Sequence, residues 1–139
     1  MPGAKVPQIK TLVSLRLTSE TKSPEQIFAE LGVPAQKTWR KGERRGKTSI
    51  LERNNGYEFT GPADESMSLE ERAGALMDRL GPIIEAIRRS GCDNVELACV
   101  VYASTVPAIN FPPSVIDTLS RLGASIDVDL YVAEANWMG

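Results

Sequence analysis

The sequence predicts an α+β sandwich, with helices packed on one face of a mainly antiparallel sheet. Three observations carry that prediction. Segments near both ends alternate apolar and polar residues as half-buried strands do. Capped segments of helical periodicity separate the strands. The resulting order is β-α-β-β-α-β followed by α-β. Its first six elements match the ferredoxin-like split βαβ arrangement, to which a C-terminal helix and strand are added.

The first strand is residues 12–18, LVSLRLT, where Val13, Leu15 and Leu17 point one way and Ser14, Arg16 and Thr18 the other. SPEQIFAELG follows as a helix. Ser23 is its N-cap, Pro24 suits the first helical position, and Gln26 completes a capping box. Ile27, Phe28 and Leu31 make the apolar face, and Gly32 closes the helix ahead of Pro34. Residues 36–47, QKTWRKGERRGK, have little periodicity and read as a loop. Residues 48–60, TSILERNNGYEFT, read as a hairpin turning at Asn55-Gly56, the pair a type I′ turn favours.

Ser68 with Glu71 forms a second capping box at the head of a longer helix. Leu69, Ala73, Leu76, Leu80, Ile83, Ile84 and Ile87 share one face of it. Pro82 removes a backbone hydrogen bond inside this run, so a kink or break is expected there, and Gly91 ends the helix. Residues 95–103, VELACVVYA, are apolar on both faces, as a central strand is. FPPSVIDTLSRLG is the next helix, with Val115, Ile116, Leu119 and Leu122 inward. In SIDVDLYV, Ile126, Val128, Leu130 and Val132 face the core, while Asp127, Asp129 and Tyr131 face away.

Composition narrows the function. The chain has 139 residues, 42% apolar and 24% charged, which suits one globular domain over 1–139 with an ordered core of about 12–132. A net charge of −2 gives no overall pull toward nucleic acid or an anionic membrane. There is no histidine, which removes the commonest general acid–base residue and the commonest metal ligand. Cys92 and Cys99 are separated by strand residues rising about 3.3 Å each, so they exceed the ~7 Å limit for a disulfide and read as free thiols. The opening MPGAKVPQIK lacks the hydrophobic stretch of a signal peptide, and no apolar run approaches the ~18–20 residues that span a bilayer. The expected address is the cytoplasm, with no membrane partner.

Four stretches together carry a family resemblance: VSLRLT, SPEQIFAELGV, TWRKGE and LSRLGASIDVDLYV. They resemble the bacterial family catalogued as domain of unknown function 4279, over about residues 12–132. Members show a strand, a helix ending in Leu-Gly, a Trp followed by a basic residue and Gly, and a last strand with two aspartates and a tyrosine. The resemblance implies a complete domain and brings no activity, cofactor or site residue with it. In size and acidity the chain is similar in style to immunity proteins of bacterial toxin systems, an analogy of form.

Candidate sites come from charge. Lys37, Arg40, Lys41, Arg44, Arg45 and Lys47 stand against Glu43 alone, a net of +5 in residues 36–47, so the rest carries −7. Trp39 among them either stacks on a ligand or anchors its loop by packing, and packing is the preferred reading. Asp127 and Asp129 share a strand face with Cα atoms about 6.6 Å apart, suitable for a carboxylate pair but also ordinary for an exposed sheet. Arg16 is their expected ion-pair partner. Were the first and last strands neighbours, Arg16, Asp127, Asp129 and Tyr131 would form a polar patch. With too few cysteines and no histidine a zinc site lacks ligands, and only a carboxylate Mg²⁺ site at Asp127 and Asp129 is conceivable. Gly46-Lys47-Thr48 looks like the tail of a phosphate loop, but Lys41 stands where the leading glycine belongs.

The functional readings rank accordingly. First is a non-enzymatic protein-interaction module, in its most concrete form of toxin-immunity type, requiring no cofactor. Second is a nucleic-acid-binding module using Lys37, Trp39, Arg40, Lys41, Arg44 and Arg45. Third is a small hydrolase using Asp127 and Asp129. Homodimerisation through a sheet edge or face is compatible with all three. Trp137 is expected to pack against the sheet edge.

Overall fold

The computed structural model describes residues 9–133. Strand β1 (Ile9–Ser19) leads into helix α1 (Pro24–Leu31), then β2 (Lys37–Trp39) and β3 (Asn55–Thr60). Helix α2 (Leu69–Leu80) passes through a 3-10 turn, Gly81–Ile83, into α3 (Ile84–Arg89). Strand β4 (Asn94–Ala103), helix α4 (Pro113–Leu122) and β5 (Ser125–Val132) complete the order. The break expected at Pro82 is that 3-10 turn. Trp137 lies outside the described residues.

The five strands run in the order β2-β3-β1-β4-β5. The first three contacts in that row are antiparallel, and β5 joins β4 in parallel. Strands β1 to β4 thus take the split βαβ arrangement expected, and α4 carries the chain across to the added β5. The helices cover one sheet face. Leu15, Leu17 and Leu97 are fully buried under them, with Tyr57 and Phe59 from β3 and Leu76, Leu80, Ile87 and Leu122 from the helices. Among the described residues no helix covers the other sheet face.

Local chemistry explains the helices. Ser23 accepts from the Gln26 amide while the Gln26 side chain accepts from the Ser23 amide, and Ser68 and Glu71 repeat the arrangement. Gly32 ends α1 at φ 72°, a left-handed conformation that glycine adopts without steric cost. Arg72, buried in the first turns of α2, donates to the carbonyls of Pro62 (2.9 Å), Asp64 (2.7 Å) and Met67 (3.3 Å). One guanidinium therefore fixes the connection from β3 to α2. Both cysteines are free. Among the described residues no helix is long and apolar enough to cross a membrane.

Four expectations fail for physical reasons. Asn55-Gly56 is not a turn: both residues open β3, and Gly56 has no positive φ. The reversal instead spans residues 40–54, tied by an Arg44–Leu51 bridge and by backbone bonds such as Glu52 to Glu43 (2.7 Å) and Arg45 to Ile50 (2.7 Å). Part of the supposed basic loop is strand β2. Phe28, placed on the apolar face of α1, and Ile116, expected inward, are 46% and 47% exposed, because each sits at the edge of its helix's apolar face. Ile126, Val128, Leu130 and Val132 pair with core-facing residues of β4 yet remain 37–46% exposed, since β5 is an edge strand that the helices cover only in part.

Candidate functional site

The open sheet face is built from outward positions of four strands. Register places Arg16 of β1 between Glu58 of β3 and Glu96 of β4. Its Nε donates to Glu58 Oε1 at 3.0 Å, and its Nη1 lies 3.9 Å from Glu96 Oε1. The Glu58 side chain is 12% exposed, and Arg16 is its hydrogen-bonded counter-charge. Lys37 of β2 faces Glu58 from the other side, in register.

Trp39 completes this cluster. Its cross-strand partner is Gly56, and the indole occupies the space that a side chain there would fill. The ring is half-buried, with the Arg16 guanidinium 5.9 Å and the Lys37 ammonium 5.8 Å from its centroid, within cation–π range. The packing reading of Trp39 therefore holds, and the ring also forms a wall of the site.

That site is a cleft of about 510 Å³ between the sheet and the 40–54 reversal. Arg16, Lys37, Arg45 and Arg53 supply its cations, and Glu52, Glu58 and Glu96 its anions. Trp39, Thr18, Asn54 and Asn94 complete the lining. Across the Arg16–Glu58 pair a second depression of about 240 Å³ continues along the face, walled in part by Leu12, Ala98, Val100 and Pro62. Arg16, Lys37 and Glu58 line both. One half of the groove is charged and the other largely apolar.

The basic segment divides into paired and unpaired cations. Arg40 pairs with Glu25, Lys41 with Glu20 (3.5 Å) and Arg45 with Glu52 (3.0 Å). Hydrogen bonds from its own backbone and from Arg40 hold the Glu25 carboxyl below the usual carboxylate range, and the Glu52 hydrogen bond raises Arg45. Lys37, Arg44, Lys47 and Arg53 have no carboxylate partner among the described residues. Of these, Lys37 and Arg53 face the cleft.

Asp127 and Asp129 stand elsewhere. They are beside Ala98 and Val100 of β4, exposed on β5, with β4 between them and β1. The condition for a patch joining Arg16 to Asp127, Asp129 and Tyr131 is thus not met, and Arg16 is paired with glutamates instead. Tyr131 stacks on Tyr102 at 5.1 Å between centroids. No group of three His, Cys, Asp or Glu among the described residues is placed to hold a metal ion. Sequence reading missed Glu52, Arg53, Glu58 and Glu96. Alternation alone would have set Glu96 outward on its strand, but only register brings it to Arg16.

Fold and groove together define a small α+β domain of split βαβ order with an open, charged sheet face. The family model described as a domain of unknown function (DUF4279) matches residues 7–133, and the chain belongs to that family. No curated protein and no solved structure gives a significant match.

Proposed function

We propose that this chain is a non-enzymatic protein-binding domain whose open sheet face receives a segment of a partner protein. The observation that carries the proposal is the two-part groove: charges of both signs around Trp39 on one side of the Arg16–Glu58 pair, and apolar walls on the other. A polypeptide segment can complement both halves. Its carboxylates meet Lys37 and Arg53, its cations or amides meet Glu52 and Glu96, and an aliphatic side chain reaches Leu12 and Val100. Capture of a toxin as an immunity-type protein is the most concrete form of this role.

The nucleic-acid reading draws on the same Trp39 and cations. Against it stand the three glutamates in the cleft, which repel a phosphate backbone. Neutralisation of Arg40, Lys41 and Arg45 by carboxylates weakens it further. The hydrolase reading gains no support from Asp127 and Asp129 on an exposed edge strand.

The test is co-purification with the product of the neighbouring gene, followed by titration of the pair. A complex at micromolar concentration that the Lys37→Glu/Arg53→Glu variant weakens at least about tenfold supports the proposal. No complex, or one indifferent to the variant, removes it. Salt-sensitive binding of plain oligonucleotides would transfer the site to nucleic acid.

A further inference from the structure

Among the described residues, no strand pairs with the outer edge of β5. The Ala133 amide donates inward to the Ala103 carbonyl (3.1 Å). By alternation, Ile126, Val128, Leu130 and Val132 turn their own amides and carbonyls to the free edge. Along β5 there is no proline, no lysine and no break in register, and its only charges, Asp127 and Asp129, lie on the open face away from the aliphatic row. The same four side chains form the half-covered aliphatic row on the helix side. Edge and row together are a surface prepared for one more strand.

We infer that this strand is β5 of a second copy, paired antiparallel about a two-fold axis at Leu130. Charge excludes the registers that oppose aspartates, and of those left the axis at Leu130 gives the longest overlap within residues 125–133. With the axis at Asp129, that carboxylate faces itself, and with the axis at Val128, Asp127 faces Asp129 twice. Like charges directly opposite destabilise a ladder. With the axis at Leu130, Leu130 meets Leu130 and Val128 meets Val132, so the aliphatic rows join. On the open face Asp129 then meets the Tyr131 hydroxyl-bearing ring, and Asp127 meets Ala133. The strip is therefore complementary to itself, as an isologous contact requires. The product is a continuous ten-stranded sheet with both helical layers on one side, leaving both Trp39 clefts at its far ends.

An eight-residue edge is a small interface, so the dimer is expected to dissociate in the roughly micromolar range. Sedimentation from about 5 to 500 µM should show a concentration-dependent monomer–dimer equilibrium in the whole chain. Leu130→Lys, at a 44% exposed position, should leave the circular dichroism unchanged and shift dissociation at least tenfold. As a second readout, Leu130→Cys in a Cys92→Ser background should form a covalent dimer on mild oxidation. Hydrogen-bonded antiparallel partners are about 5.5 Å apart at Cα, inside the disulfide window. Val128→Cys, which faces Val132 across the axis, should cross-link far less. A monomer throughout, a dimer that Leu130→Lys leaves intact, or cross-linking at 128 in preference to 130 each overturns the inference.

Discussion

The indole of Trp39 fills the space above Gly56, its partner across β2 and β3. This is how a three-residue edge strand holds its place: glycine removes the side chain from a sheet position, and an aromatic from the next strand covers it. The pair also holds the ring beside Arg16 and Lys37, at the wall of the cleft. Gly56→Ala should therefore displace the ring and lower stability by about 1–3 kcal/mol. Urea unfolding in a Trp137→Phe background reads both effects, the second as a red-shifted Trp39 emission. An unchanged spectrum and midpoint would mean the ring does not need that space.

Arg16 and Glu58 lie partly covered at the centre of the open face, and so their pairing is worth more than a surface ion pair and less than a buried one. Arg16→Met should cost about 1–2 kcal/mol, because Glu58 loses its hydrogen-bonded counter-charge. The double variant Arg16→Met/Glu58→Met should recover part of that loss. Additive costs in the double-mutant cycle would show the two side chains to be independent.

Arg72 holds three carbonyls of the β3–α2 connection while buried. Arg72→Ala should cost about 2–3 kcal/mol, since hydrogen bonds to a charged donor are lost and the carbonyls left behind are poorly hydrated. Hydrogen exchange should quicken in residues 64–68. Global destabilisation without a local change there would point to packing of the arginine stem instead.

The two thiols should differ in reactivity. Burial pushes Cys99 up to about 12, with Asp127 adding to the shift, and burial also raises Cys92. A raised thiol stays protonated, and only the thiolate attacks iodoacetamide. At pH 8 the folded protein should alkylate slowly at half-buried Cys92 and hardly at all at Cys99, with both reacting at the ordinary rate in urea. Because the unfolded thiol ionises first, the Cys99 contribution to stability is intact below the usual thiol range and is lost as pH rises toward 12. Peptide mapping after labelling checks the order of reaction.

The parts of the fold that depend on neighbours in sequence were legible. Ser23 with Gln26, Ser68 with Glu71 and the break at Pro82 each act within a few residues, so spacing reveals them. Alternation likewise placed Val13, Leu15 and Leu17 correctly. What sequence withheld was register. Nothing local distinguishes Asn55-Gly56 as a turn from Gly56 as the floor beneath a tryptophan seventeen residues earlier. Nothing local pairs Arg16 with Glu58 rather than Asp129. The half-exposed row on β5 was misjudged for a related reason: alternation shows which side chains share a face, but not whether a helix covers that face.

The proposed binding surface for a partner protein is the groove around Trp39 and the Arg16–Glu58 pair. Amide chemical-shift mapping of the labelled chain, titrated with its co-purifying partner, tests this most directly. Shifts should concentrate in Leu12–Thr18, Lys37–Trp39, Arg53–Glu58 and Asn94–Val100. Shifts confined to the helical face, or absent at saturating partner, would contradict it.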